Sequence, residues 1–237
     1  MKVSDIITQV RTELVEPVAG FWTDDELLGW INRFERHFNN LTRIMENKAM
    51  MTLVPGRSSY RLPGDWLSAK AVFVNNNNAD STLVDDWKRL EPTRLEKMAQ
   101  ENPDFMTTDS TTFDLPRNYW IFNYELNFFP TPKFGLNIVL FYNAKPILLL
   151  TTTEDMNIDD SFEEYAIAYV LWKAWSKEKE RGDAAEQRAI YFDGVREARK
   201  WVKKRSGDQR YRLDIISALP ISGGTSTFGF NPFSGVS

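Results

Sequence analysis

Four adjacent acid pairs are the first residues of this chain that could do chemistry: Asp24/Asp25, Asp85/Asp86, Asp159/Asp160 and Glu163/Glu164. Two carboxylates facing each other across a cleft can act as general acid and base, or share a magnesium ion in a nuclease. Either use needs acids projected from different elements toward one point. Most of these pairs sit where helices are expected to begin, and there a carboxylate favours the positive end of the helix dipole. Capping is the expected role, so no catalytic residue, metal ligand or cofactor is assigned, although an enzyme that works with carboxylates alone stays open on these residues. His37 is the one histidine, and cysteine is absent. Thiolate catalysis, disulfides and His-rich or thiolate zinc sites are thereby excluded. A Ser-His-Asp triad would have to use His37, which lies in "NRFERHFNN" between Phe34 and Phe38 and is expected to be a surface or half-buried helix residue.

Charge offers a second kind of chemistry. The net charge is −4, yet Arg196 to Arg212 holds eight Lys/Arg against Glu197 and Asp208. That segment is +6, so the remainder of the chain sums to −10. Three readings of "REARKWVKKRSGDQRYR" stay open: a solvated helix end, docking onto an acidic protein surface, or nucleic-acid binding with Trp201 and Tyr211 stacking on bases. Beyond it lies "SGGTSTFGFNPFSGVS", a linker-like composition that nevertheless carries Phe228, Phe230 and Phe233. Burying three phenylalanines yields roughly 1.5–3 kcal/mol each. Fixing sixteen residues costs roughly 1–2 kcal/mol apiece in backbone entropy. Three rings cannot order the segment alone, so it is expected to be extended and to fold on a partner. "SGGTS" is no phosphate loop, since no lysine, preceding strand or following helix accompanies it.

The elements that must carry these groups follow from periodicity. "SDIITQVRTEL" puts Ile6, Val10 and Leu14 on one helical face, with Ser4 as a possible N-cap. In "WTDDELLGWINRFERHFNNLTRIME", Thr23 and Glu26 form a capping-box pattern, and Trp22 can staple onto Leu27. Leu27, Ile31, Phe34, Phe38, Leu41 and Met45 then recur at spacings of three and four, the stripe of a long amphipathic helix. Near Met50 the period changes. "MTLVPGRSSYRLPGDW" predicts two strands with Pro-Gly turns, Tyr60 packing beneath such a turn, and "AKAVFVNNNNADSTLV" two strands around an asparagine turn. "EPTRLEKMAQEN" predicts a short helix with Pro92 in its first turn. "NYWIFNYELNFFPTP" and "GLNIVLFYNAKP" predict further strands, for five or six in all. Helices return at Ser161, where Ser161 and Glu164 make a capping box, and this helix should stop at Gly182 as its C-cap. It is apolar on nearly every side through Trp172, so it should be central in a bundle. Asp183 and Glu186 should cap the next helix, ending near Gly207. The fold class is therefore α+β: a helical domain from 1–49 and 146–210, an inserted, mostly antiparallel β domain at 50–145, and an extended C-terminal tail at 211–237. No apolar run is long enough to span a membrane, and the opening "MKVSDIITQV" lacks the apolar stretch of an export signal.

Four of these segments together resemble the head-to-tail adaptor (connector) proteins of short-tailed bacteriophages. "FWTDDELLGWINRFERHF", with Asn32, is similar to that family's Trp-Thr-Asp start and Asn-bearing helix. "LVPGRSSYRLPGDWL" resembles its Tyr-x-Leu-Pro-x-Asp corner. "PRNYWIFNYELNFFPTP" resembles its Pro-x-x-Tyr strand followed by a strand ending in Pro-x-Pro. "SFEEYAIAYVLWKAW" resembles its late helix, although "NIDDS" stands where the family has Leu-Pro. The resemblance spans about residues 4–200. It implies a structural virion protein of the phage neck, assembled in the host cytoplasm. Such a protein forms a ring, twelve subunits being usual, between the portal and the tail nozzle or tail tube, with DNA only as passing cargo and no membrane. On that reading Phe228, Phe230 and Phe233, with Arg205, Arg210, Tyr211 and Arg212, are expected to bind the portal or a neighbouring subunit. The alternative is a nucleic-acid-binding or metal-dependent nuclease module using residues 196–212.

Overall fold

The computed structural model describes residues 1–16, 18–75, 87–103, 105 and 113–218, with side chains as far as 205. Its first helix, α1 (Val3–Glu13), has Lys2 at the N-cap and no side-chain cap, Ser4 lying inside the first turn. The free amides are met instead by a distant segment: Val3 and Ser4 donate to the carbonyls of Glu154 and Thr152. Helix α2 (Asp24–Thr42) begins as expected, with the Thr23 side chain accepting from the Glu26 amide at 3.2 Å. Trp22, Leu27, Ile31, Phe34 and Phe38 are all buried. The helix stops at Arg43, which adopts the left-handed conformation.

The strands form two four-stranded sheets. One has the order β1 (Glu46–Leu53), β8 (Leu136–Ala144), β3 (Trp66–Asn75), β4 (Trp87–Arg89), antiparallel throughout. The other has the order β2 (Ser59–Arg61), β7 (Glu125–Phe129), β6 (Asn118–Phe122), β5 (Glu91–Pro92), with only β5–β6 parallel. Alternate side chains of both, among them Tyr60, Val72, Leu126, Phe128, Ile138 and Leu140, share one buried core. Eight strands among the described residues exceed the five or six expected. One reason is that "NYWIFNYELNFF" folds into a hairpin, β6–β7, turned by Asn123 and Tyr124 at positive φ. Pro92 is not in the first turn of a helix. It belongs to β5, whose following residue Thr93 donates to the Tyr119 carbonyl, and α3 (Leu95–Glu101) starts only after Arg94. The second strand expected beyond "NNNN" lies outside the described residues.

After β8, residues 145–158 return as a strap to the helices. Asp159 then caps a 3-10 turn (Asp160–Phe162), accepting from the Ser161 amide, and α4 (Glu163–Glu178) follows. The expected Ser161–Glu164 box does not form, because the Ser161 hydroxyl is engaged by Asp159 at 2.5 Å. Helix α4 packs against α1, α2 and α5 and is central in the bundle. It ends at Lys179 in the left-handed conformation, not at Gly182, which lies in the first turn of α5 (Arg181–Ala218). Nor does α5 end near Gly207. It continues to Ala218, so residues 211–218 are helical rather than part of an extended tail. One interior glycine costs a helix only about 1 kcal/mol, which the flanking arginines, lysine and leucine can outweigh. The helical elements share a second core, separate from that of the sheets.

Candidate docking surfaces

The basic segment is partly consumed within the chain. Arg196 pairs with Asp193, and Arg199 donates to the Leu41 carbonyl at 2.8 Å. Arg205 reaches the Glu46 carboxylate at 2.5 Å and the Ile44 carbonyl at 3.3 Å, and stacks over Trp201. These contacts fasten α5 to the corner where α2 passes into β1. Lys200, Lys203 and Lys204 form no ion pair among the described residues. Arg210, Tyr211 and Arg212 lie on the last turns of α5, their side chains outside the described residues, as are Phe228, Phe230 and Phe233.

Among the described residues the acid pairs do not converge. Asp24 holds Arg11 at 2.6 Å, Asp159 caps, and Glu163 and Glu164 occupy the first turn of α4. Asp85 and Asp86 lie outside the described residues. Among the described residues no group of three or more carboxylates and histidines could hold a metal ion. His37 is half-buried, its Nδ1 2.6 Å from the Tyr191 hydroxyl, and burial with the nearby Lys173 charge pushes its pKa below the ordinary value.

What the sequence reading left out is a polar ladder on the buried side of α2. Asn32 donates to the Leu149 carbonyl and accepts from the Leu149 amide, both at 2.9 Å. Glu35 accepts from the Asn157 backbone amide at 2.6 Å and side-chain amide at 2.7 Å, and burial raises its pKa. Asn39 donates to the Ala144 carbonyl at 2.7 Å and accepts from the Met45 amide at 3.1 Å. Spacings of three and four put all three on one helical face. A signal existed: three polar residues interrupt the α2 sequence on the same side as its apolar stripe.

The ladder has a consequence at the surface. With Leu149 drawn inward, Ile147, Leu148 and Leu150 are held outward, Ile147 and Leu150 each 73% exposed. Three aliphatic side chains displayed on a pinned strap are what a protein-binding edge requires. A second, mostly apolar surface is the outer face of β1, β8, β3 and β4, where Met50, Phe73, Val139, Phe141 and Trp87, with Lys48, line a groove of about 480 Å³. Tyr60, from the "YRLPGDW" corner, is structural: its hydroxyl spans the Val54 amide and carbonyl, just ahead of the Pro55–Gly56 turn. So is Asp65, which accepts from the Tyr142 hydroxyl and helps to push that group up to about 12, after the larger effect of burial.

No helix among the described residues is long and apolar enough to cross a membrane. Comparison with curated proteins gives no match. The family model described as SU10 adaptor protein matches residues 1–215 of the 237, a range that takes in both cores, the strap and nearly all of α5. The chain belongs to the SU10 adaptor protein family, a family of bacteriophage head-to-tail adaptors.

Proposed function

We propose that this chain is a structural, non-enzymatic virion protein that assembles as a ring, with twelve copies expected, between the portal and the tail. It is made in the host cytoplasm, takes its place in the virion neck, seals the channel through which DNA passes and gives the tail protein its platform. The family match along residues 1–215 carries this reading. The strap residues Ile147, Leu148 and Leu150 support it, since they offer apolar contact area without a reactive group. Helix α5, 38 residues and about 57 Å long, serves as an arm that carries the last residues away from its fastening at Arg205. Phe228, Phe230 and Phe233, with Arg210, Tyr211 and Arg212 near the end of the arm, are the proposed anchors on the portal or a neighbouring copy. The test is to mix purified protein with its portal and image the product. A ring on the portal is expected, and a chain lacking 222–237 should fold normally but attach far more weakly. Chains that stay monomeric with portal present would refute the proposal, and unchanged attachment of the truncated chain would remove the tail from it.

A second reading has one observation in its favour, the three lysines 200, 203 and 204 without ion-pair partners among the described residues. A nucleic-acid module would bind DNA with steep salt dependence, weakened by Lys203→Ala and Lys204→Ala.

A further inference from the structure

Two grooves flank the α4–α5 contact, and their charges are opposite. The first, about 710 Å³, is floored by Trp172 and Phe192 and edged by Lys179, Arg181 and Arg188, with no carboxylate in its lining. Its margin is also cationic. Lys173 lies 3.7 Å from the Trp172 ring, and Arg188 stacks over both Trp172 and Phe192. Burial and the charges of Arg33 and Arg188 push the Lys173 ammonium below its ordinary pKa. None of Arg33, Lys173, Lys179, Arg181 and Arg188 has an ion-pair partner among the described residues, whereas Lys177, on the same helix, is taken by Glu26 at 2.7 Å. Five cations gathered around two half-buried rings leave a surface that attracts carboxylates.

The second groove, about 520 Å³, runs between α1, α4 and α5 and has no lysine or arginine in its lining. Glu13, Asp160, Glu163 and Glu164 edge it, over a floor that includes Ile167, Leu171 and Ile190. Asp160 holds the N-terminal ammonium at 2.6 Å, but Glu13, Glu163 and Glu164 have no ion-pair partner among the described residues. On α5 the basic groove takes residues 181, 184, 185, 188, 189 and 192, and the acidic groove takes 187 and 190. At 3.6 residues per turn those two sets point to nearly opposite sides of the helix.

A molecule with complementary patches on opposite sides cannot satisfy them by two-fold pairing. Each copy must offer one patch forward and the other backward, a heterologous contact that closes into a ring when the rotation permits. We propose that the basic aromatic groove of one copy receives the acidic edge of the next, Glu13, Glu163 and Glu164 facing Lys179, Arg181 and Arg188. This rests on the adaptor reading above and names the surfaces through which its ring is built. The occupant is a second copy because both halves of the charge match are present on the same chain, at the same helix pair.

Charge reversal of either side tests the contact. Lys179→Glu/Arg181→Glu/Arg188→Glu sets three acids against the remaining Lys173 and Arg33 and leaves a chain with two acidic faces, and Glu13→Lys/Glu163→Lys/Glu164→Lys one with two basic faces. Each alone should lose ring formation on the portal and weaken self-association by about tenfold or more in sedimentation, with far-UV circular dichroism unchanged. Mixed in equal amounts, the two should recover rings, since every junction then joins opposite charges, and wild-type association should fall with added salt. Rings that form equally well with either variant would overturn this contact while leaving the adaptor reading intact. The same holds if the mixture fails to recover. Loss of retention on labelled duplex DNA in the first variant, with rings unaffected, would reassign the groove to nucleic acid. Wild-type chains that never form rings on the portal would defeat both readings.

Discussion

His37 and Asn32 stand less than two turns apart on α2 and show how differently polar side chains serve one helix. His37 is stacked on Tyr191, and burial with Lys173 disfavours its charged form, so its folded pKa lies below the ordinary 6.5. The unfolded chain therefore takes up this proton first as pH falls. The histidine's contribution to stability is complete above pH 6.5 and declines as pH drops through that value toward the folded pKa. His37→Gln should flatten the decline, seen as a smaller acid-side drop in the urea midpoint than wild type shows. Asn32 does not titrate, and its importance is geometric. Asn32→Leu preserves bulk but leaves the Leu149 amide and carbonyl without their partner, at about 1–3 kcal/mol for each buried group. Denaturant unfolding should show that loss, and proteolysis between Lys145 and Glu154 should speed up as the strap comes free. An unchanged proteolysis rate would mean that the strap is held by other contacts.

Helix α5 depends on α4 through a close approach at Gly194. A methyl group there would sit within the Tyr165 ring, whose hydroxyl also donates to Glu197 at 2.6 Å. Gly194→Ala should cost about 1–3 kcal/mol by overpacking, read from the denaturant midpoint. If the ring is the obstacle, adding Tyr165→Ala should recover part of that loss, the two changes being non-additive. A recovery of nothing would place the strain elsewhere. Elements of this kind were legible to different degrees in the sequence. Helix α2 was clear because capping, stripe and length agree, and the switch to strands at "MTLVPGRSSY" was clear because the period changes there. Boundaries were less so. Asp159 took the capping role from Ser161, and Lys179 ended α4 three residues before the glycine that composition favours, because left-handed residues are set by tertiary packing as well as by type. The partners of the polar ladder, and the two grooves, were not legible. Asn39 meets Ala144 across 105 residues and Glu35 meets Asn157 across 122, and no local pattern encodes such partners.

At the scale of the whole molecule, the two cores meet along a short seam. Asn39 holds Ala144, Arg205 holds Glu46, and the Ala144 amide donates to the Met45 carbonyl at 3.0 Å. The last of these bonds places the two ends of the β unit side by side: Glu46 pairs with Asn143 where β1 begins and β8 finishes. A unit whose entry and exit are neighbours can be removed without stretching the chain that remains, because closing a short loop between adjacent ends carries little entropy cost. The residues left behind, 1–45 and 144–218, retain the helical core of α1, α2, α4 and α5, including Trp22, Phe34, Phe38, Tyr169 and Tyr191. The polar ladder of α2 is wholly inside them, so the strap keeps its fastening. What is lost is the Arg205–Glu46 pair, a half-exposed contact worth about 1 kcal/mol at most, together with the bond from the Lys145 amide to the Asp65 carbonyl. Replacing residues 46–143 by a linker of about three glycines should therefore give a helical protein that unfolds cooperatively, with the near-ultraviolet circular dichroism of packed aromatic rings. Loss of that near-ultraviolet signal, or a gradual thermal transition, would show that the sandwich supports the helices and that the division into two units is one of sequence alone. Retention would establish the helical part as an independent platform on which the β unit is carried.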